Sequence, residues 1–98
     1  MRSPLEIRCQ RELEAEGYLV DRKARHRRTA KGYWVDFLGA FDILAYRPGE
    51  LRLISVNTQS NGVRRRQREL IESLELPLGN TKEIWTCLRN ETVRKERA

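Results

Sequence analysis

Apolar residues recur at every fourth position near the start of the chain, at Leu5, Cys9 and Leu13. This spacing predicts an amphipathic helix that packs its apolar face against the rest of the protein. Ser3 is a suitable N-cap, and Pro4 suits the first helical position because it has no backbone N–H to leave unpaired. The sequence therefore predicts a packed helix in this region.

Polar residues dominate the segment that follows this helix. Gly17 marks the expected helix end, and Tyr18–Val20 then predict a short strand. From residue 21 to residue 32 the chain is almost wholly polar, with many cations and only small residues between them. We therefore expect a mobile basic loop or arm over residues 21–32.

Alternating apolar residues on either side of Pro48 and Gly49 predict an antiparallel β-hairpin with strands over residues 42–46 and 51–57. A register centred on this turn pairs Tyr46 with Leu51, Leu44 with Leu53, and Asp42 with Ser55. Because side chains alternate between the two faces of a strand, these six share one face. The hairpin is therefore expected to bring Asp42, Ser55 and Asn57 together.

The remaining apolar residues predict one helix and one strand. Asn61 is a suitable cap for a helix that begins near Val63 and ends before Pro77. Glu83–Leu88 predict a final strand, and we expect the polar residues 91–98 to form a frayed tail. The expected order is α-β-β-β-α-β, which corresponds to one small α/β domain over residues 1–90, with a mixed sheet flanked by helices.

The charge of the chain favours a polyanionic partner. Its 98 residues, enough for one domain, include 20 Lys and Arg against 14 Asp and Glu, a net charge of +6. Most of the cations are arginines, whose planar guanidinium groups suit bidentate contacts with phosphate. Two cationic runs are therefore candidates for nucleic-acid binding. They comprise Arg22, Lys23, Arg25, Arg27, Arg28 and Lys31 in the first run, and Arg64, Arg65, Arg66 and Arg68 in the second.

Cysteine usage and hydropathy bear on the compartment. Cys9 and Cys87 are far apart in the sequence, and together with the one histidine they match no zinc-ligand spacing. No apolar stretch is long enough to cross a bilayer, and the N-terminus lacks the apolar run of a secretory signal. We therefore expect a cytoplasmic protein with reduced thiols and no membrane association.

The order of elements, with an acidic residue opening the hairpin and polar residues closing it, resembles the PD-(D/E)XK nuclease superfamily, in particular archaeal-type Holliday junction resolvases. The resemblance covers most of the chain. In those resolvases a helix glutamate precedes a Gly-aromatic step by about the distance from Glu6 to Gly17-Tyr18, and a motif aspartate opens a strand as Asp42 does. The resemblance implies a restriction-endonuclease-like core, a homodimer, and binding to branched or otherwise structured DNA.

A homodimer also agrees with the apolar residues near the end of the chain. A chain of this length has a thin core, and Leu76, Leu78 and Trp85 offer apolar surface for a second copy.

The second motif of the superfamily is degenerate in this sequence. Where the family carries an acidic-X-Lys signature that holds Mg²⁺ and positions the attacking water, this chain has Ser55-Val56-Asn57. Asp36 looks like an aspartate found in phage and prophage relatives whose second motif is also non-acidic. The resemblance implies that Asp42, Asp36 and Glu6 ligate one Mg²⁺ or Mn²⁺, with Ser55 and Asn57 in the catalytic positions. The candidates to replace the missing lysine are Lys31, Gln59 and Gln67.

Each of these residues also has a plain structural interpretation. Glu6 can be the reciprocal partner of Ser3 in a capping box, and Asp42 can simply end a buried run. Ser55 and Asn57 can be ordinary polar residues at a strand end. The cationic runs can be solvated surface.

Three classes of function remain open. The first is a metal-dependent endodeoxyribonuclease that hydrolyses phosphodiester bonds, as the resolvases do. The second is a non-catalytic DNA-binding module that keeps the nuclease fold, and the third is a basic protein that binds an acidic protein partner. The loss of both groups of the second motif favours the binding module, whereas the retention of Asp42 in an intact hairpin favours chemistry.

Overall fold

In the computed structural model of this chain, residues 4–22, 25–26, 33–34, 37–38, 40–59 and 63–98 are described. They form a small α/β domain, as the sequence predicts. The elements in chain order are α1 (Pro4–Ala15), β1 (Leu19–Arg22), β2 (Arg25–His26), β3 (Tyr33–Trp34), β4 (Ile43–Arg47), β5 (Glu50–Thr58), α2 (Arg65–Ser73), β6 (Asn80–Cys87) and β7 (Val93–Arg97).

Five of the strands form one mixed sheet in the order β1-β4-β5-β6-β7. β4 is antiparallel to both β1 and β5, and β7 is antiparallel to β6. β5 and β6 are parallel, and the chain crosses between them through α2. Helix α2 follows β5 in the chain, so it starts at the end of the sheet where β5 ends. The chain then returns along α2 to the other end, where the parallel strand β6 begins.

The predicted first helix is confirmed in its extent and its buried face. Cys9 and Leu13 are fully buried, and Leu5 packs beside them. Gly17 has a φ of +95°, a left-handed conformation that glycine adopts at little cost. The N–H of Tyr18 donates to the carbonyl of Leu13 at 3.1 Å, and the N–H of Gly17 donates to that of Glu14 at 3.0 Å. This is a Schellman motif, which ends the helix and turns the chain into β1.

The two helices cover opposite faces of the sheet. On one face, α1 packs over a cluster made of Cys9, Leu13, Tyr18, Ile43, Ala45, Ile54 and Trp85. On the other face, α2 packs over a cluster made of Ala40, Phe41, Leu53, Ile71 and Ile84. Neighbouring residues of β5 and of β6 contribute to different clusters, as the alternation of side chains along a strand requires.

Lys82 fastens the end of α2 to the sheet. Its Nζ donates to the carbonyls of Ile71, Glu72 and Leu74, each at 2.8 Å. These carbonyls belong to the last turn of α2 and its C-cap residue Leu74, and the last turn has no basic residue of its own. A cation from β6 therefore takes the place of a local cap and complements the helix dipole.

The prediction of a frayed tail is wrong. Val93–Arg97 form β7, which pairs with β6 from Cys87 and Val93 to Glu83 and Arg97. The backbone ladder, rather than apolar burial, holds β7 in place, because its side chains are exposed or only partly buried. A polar edge strand of this kind has no apolar alternation for a sequence to reveal.

Two other boundaries differ from the prediction. Helix α2 begins at Arg65 rather than near Val63, and Arg64 occupies its N-cap position without a side-chain cap hydrogen bond. The expected cap, Asn61, lies outside the described residues. Within the expected loop over residues 21–32, the backbone of β2 pairs with β3, so part of this segment is a short ladder.

Trp85 is fully buried in the cluster under α1 and offers no surface for a second copy of the chain. Of the two leucines expected beside it in a dimer contact, Leu78 is fully exposed and Leu76 packs partly against the cluster under α2.

Cys9 and Cys87 are free, and burial raises the pKa of the Cys9 thiol to about 11. Among the described residues, neither helix is long and apolar enough to cross a membrane.

Candidate functional site

The hairpin of β4 and β5 places Asp42 beside the second half of β5. The predicted pairs Tyr46 with Leu51 and Leu44 with Leu53 are confirmed, and the regular ladder ends at Ile43 and Ile54. Beyond it, the backbone N–H of Asp42 donates to the carbonyl of Ile54 at 2.9 Å. The Oδ2 of Asp42 accepts the backbone N–H of Val56 at 2.7 Å. Asp42 thus lies against residues 54–56, although it does not continue the ladder.

The Asp42 carboxylate is buried, with 6% of the residue exposed. Its Oδ2 accepts the backbone N–H of Val56 at 2.7 Å, a short hydrogen bond for an N–H donor. One role of Asp42 is therefore structural, because its side chain takes a β5 amide that the ended ladder would otherwise leave unpaired.

Ser55, Asn57 and Gln67 form a hydrogen-bonded group on the α2 face of the sheet. Ser55 is fully buried, and its Oγ lies 3.2 Å from Asn57 Nδ2 and 3.4 Å from Gln67 Nε2. Gln67 Nε2 also donates to the carbonyl of Ala40 at 2.9 Å, which ties α2 to the segment before β4. We call Asp42, Ser55, Asn57 and Gln67 the polar cluster. Asp42 reaches this part of β5 through the amide of Val56, and its predicted pairing with Ser55 is not part of the ladder.

Gln67 completes this cluster from a different element. It was one of three candidates to replace the missing lysine, and it is the one whose amide reaches Ser55. The side chain of Gln59 instead accepts the backbone N–H of Arg89 at 2.9 Å. Lys31 lies outside the described residues. A sequence gives little sign of this placement, because it depends on where α2 docks across the sheet.

The described part of the polar cluster does not fit a Mg²⁺ site by itself. Asp42 is its one ionisable member, and Ser55, Asn57 and Gln67 are neutral groups whose donors bond to one another or to the backbone. Mg²⁺ binds in proteins through carboxylates and waters in octahedral geometry. Among the residues described, no three His, Cys, Asp or Glu side chains lie close enough together to hold a metal ion.

The other two predicted ligands do not join Asp42 among the described residues. Glu6 lies in the first turn of α1, partly buried, and belongs to no such group of three. Asp36 lies outside the described residues, as does Ser3, the expected capping partner of Glu6.

The second cationic run lies beside the polar cluster. Gln67 sits in the first turn of α2, between Arg66 and Arg68, and the first turn contains no acidic residue. Arg64, Arg65 and Arg66 are exposed, and the side chain of Arg68 is 43% exposed. Arg65 pairs with Glu69 at 3.1 Å, one turn along the helix. The end of the sheet that carries the cluster is therefore also strongly cationic.

Much of the first cationic run is outside the described residues. Arg22 ends β1 and is partly buried, and Arg25 is placed only through its backbone in β2. The remaining members, which lie outside the description, are Lys23, Arg27, Arg28 and Lys31.

The sequence analysis missed the cations of β7 as parts of a surface, because it assigned them to a tail. Arg94, Lys95 and Arg97 occupy defined positions on this strand and are exposed.

Comparison of the chain with protein-family models finds none that matches, and comparison with curated proteins finds no significant match.

Proposed function

We propose that this chain is a DNA-binding protein built on a PD-(D/E)XK nuclease-like core, in which the arginine-rich start of α2 contacts the phosphate backbone. One observation carries the proposal. Gln67 brings the cationic first turn of α2 against Ser55, at the end of the sheet where Asp42 bonds to β5. Basic density beside a cluster of hydrogen-bonding side chains is the arrangement expected at a phosphate-binding surface.

The fold supports this assignment through its order of elements. Apart from the β2-β3 ladder and the edge strand β7, the chain runs through a helix, three antiparallel strands, a crossover helix and a parallel strand, the order expected of the superfamily core, and Asp42 directly precedes the middle strand β4. The three neutral side chains of the polar cluster favour binding over cleavage, because the hydrolysis of a phosphodiester needs an activated nucleophile and charge stabilisation on the leaving oxygen. Ser55, Asn57 and Gln67 supply neither.

The first prediction concerns the salt dependence of DNA binding. Replacing Arg64, Arg65, Arg66 and Arg68 together by Gln is expected to weaken binding and to reduce the slope of log K against log salt by up to about 3.6, since each phosphate contact adds about 0.9. Fluorescence anisotropy with a labelled duplex measures both quantities.

A matched control for this variant neutralises cations elsewhere. Replacing Arg8, Arg11, Arg89 and Arg97 by Gln removes the same charge from exposed positions outside the first turn of α2. An equal loss of slope in both variants would show that only the net charge matters. A parent protein that fails to bind DNA at low salt would overturn the proposal.

Endonuclease activity is the second candidate function, and the buried Asp42 at the start of β4 favours it. If the protein cuts DNA in Mg²⁺ or Mn²⁺, Asp42→Asn is expected to abolish cleavage while DNA binding is kept, because the change removes charge with little change in shape. Incubation of branched and linear labelled DNA with each metal, and with a chelator, measures the activity. Cleavage that survives Asp42→Asn would contradict the assignment of the site.

A further inference from the structure

Strand β7 places one further cation, Arg94, on the α2 face of the sheet. Glu96 forms an ion pair with Arg94 on its own strand, with Oε1 2.9 Å from Arg94 Nε, and its other oxygen lies 3.5 Å from Nη1 of Arg68 on α2. Arg94 and Glu96 are two residues apart in the strand, so their side chains lie on the same face. Glu96 therefore links a guanidinium of the helix to a guanidinium of the strand.

Helix α2 carries another arginine, Arg64, one turn before Arg68. The N–H of Arg68 donates to the carbonyl of Arg64 at 2.9 Å, which places Arg64 one turn earlier on the same side of α2. The side chains of Arg94 and Arg68 are 56% and 43% exposed. Arg64, Arg68 and Arg94 thus form a row that crosses from α2 to the edge strand.

We infer that this row is one continuous binding surface for the phosphate backbone of a nucleic acid, in which Arg94 contacts phosphate and Glu96 positions Arg94 beside Arg68. The inference rests on the proposed function and extends it to β7. The nitrogen of Arg94 given against Glu96 is Nε, and 56% of the Arg94 side chain is exposed, so a further acceptor can approach its guanidinium fork from solvent. Phosphate suits this fork because it accepts two parallel hydrogen bonds from one guanidinium.

The strand also supplies a control on its opposite face. Lys95 of β7 contacts Glu12 of α1 and lies 4.5 Å from the ring centroid of Trp85, so it faces α1 rather than α2. Arg97 follows Lys95 by two residues and lies opposite Glu83 in the backbone ladder between β6 and β7, so its side chain lies on that same α1 face. Arg94 and Arg97 therefore differ in the face they occupy while sharing charge, strand and exposure.

The test compares Arg94→Gln with Arg97→Gln in salt titrations against a labelled DNA duplex. Arg94→Gln is expected to reduce the magnitude of the slope of log K against log salt by about 0.9, the contribution of one phosphate contact. Arg97→Gln changes the net charge equally and is expected to leave the slope unchanged. Circular dichroism establishes that both variants remain folded.

Two results would overturn the inference while the proposed function stands. The first is an unchanged slope in Arg94→Gln while the α2 variant loses its own, and the second is an equal loss in Arg94→Gln and Arg97→Gln. Binding of polyglutamate by the parent as tight as its binding of DNA would indicate an acidic protein partner, and it would overturn the inference together with the proposed function. If the parent does not bind DNA at all, the proposed function fails first.

Discussion

Replacing Arg52 by Met is expected to lower the free energy of unfolding at pH 7 by about 3–5 kcal/mol, the usual cost of removing one partner from a buried ion pair. Arg52 donates to the two carboxylate oxygens of Glu83 through Nε and Nη2, each at 2.8 Å. The side chains are 13% and 4% exposed. Thr81 and Trp85 also donate to this carboxylate, but neither carries charge. Without Arg52, Glu83 would hold an uncompensated charge.

The dependence of this loss on pH identifies its cause. In the parent, burial by itself raises the pKa of Glu83, but hydrogen bonds from Arg52, Thr81 and Trp85 outweigh it, so the pKa lies below the ordinary value. Glu83 therefore stabilises the parent above the unfolded pKa of about 4.3, and that contribution is lost as the pH falls through the folded pKa. In the variant, burial is expected to dominate and to raise the pKa. The difference in stability should then shrink as the pH falls from 7 to 4.

Urea unfolding at several pH values measures this difference, and Arg65→Met is the matched control. Arg65 also pairs with a glutamate, Glu69, but the two side chains are 94% and 65% exposed. Exposed pairs contribute little, so this variant is expected to lose no more than about 0.5 kcal/mol. A loss in Arg52→Met that stays constant between pH 7 and pH 4 would contradict the explanation and point to packing of the arginine stem instead.

The hairpin and the first helix were predictable because their signals are local. The spacing of Leu5, Cys9 and Leu13 follows from helix geometry alone. In the hairpin, the turn at Pro48 and Gly49 sets the register, and a slip by one residue would move every apolar side chain to the wrong face. Neither inference needs knowledge of distant parts of the chain.

Strand β7 was missed because nothing local marks it. Val93 is its one apolar residue, and the backbone ladder to β6 supplies the pairing that keeps the strand in place. Such a ladder depends on the edge of β6 being open, which is a property of the whole sheet. Sequence patterns detect buried side chains, and an edge strand of charged residues buries few.

The candidate site shows the same division. The hairpin register alone brought Ser55 and Asn57 towards Asp42, whereas the contact of Gln67 with Ser55 needs α2 to cross the sheet at one particular place. The irregular end of the ladder, where Asp42 bonds to Val56, also lay beyond prediction. A regular register describes where two strands pair, and this bond forms where the pairing stops.

A second large effect is expected for Ser55→Glu, which places a carboxylate beside Asp42 as the nuclease superfamily does. Ser55 is fully buried, so the new carboxylate must enter a packed interior. We expect the free energy of unfolding at pH 7 to fall by about 3 kcal/mol or more, from overpacking together with the burial of an unpaired charge.

Ser55→Gln separates these two causes, because it adds nearly the same volume without the charge. It is expected to lose only the overpacking cost of about 1–3 kcal/mol. The glutamate pKa in Ser55→Glu should be raised by burial and by Asp42, so its extra penalty holds at pH 7 and disappears as the pH falls below the unfolded value of about 4.3. The two variants should then have equal stability near pH 4.

Divalent cations turn the same variant into a test of the site geometry. Two carboxylates that face one space bind Mg²⁺ or Mn²⁺, and a ligand that binds only the folded state raises its stability. Millimolar Mn²⁺ is therefore expected to raise the free energy of unfolding of Ser55→Glu by about 1–3 kcal/mol and to leave that of Ser55→Gln unchanged. The size of the gain depends on the ratio of the metal concentration to its dissociation constant. Because unfolding is the measurement, the result does not require cleavage.

If Mn²⁺ stabilises both variants equally, the carboxylate of Asp42 does not face the side chain at position 55, and the correspondence with the superfamily motif is lost. If it stabilises Ser55→Glu alone, the geometry of a metal site persists in this protein, and adding Asn57→Lys would supply the missing cation of the motif.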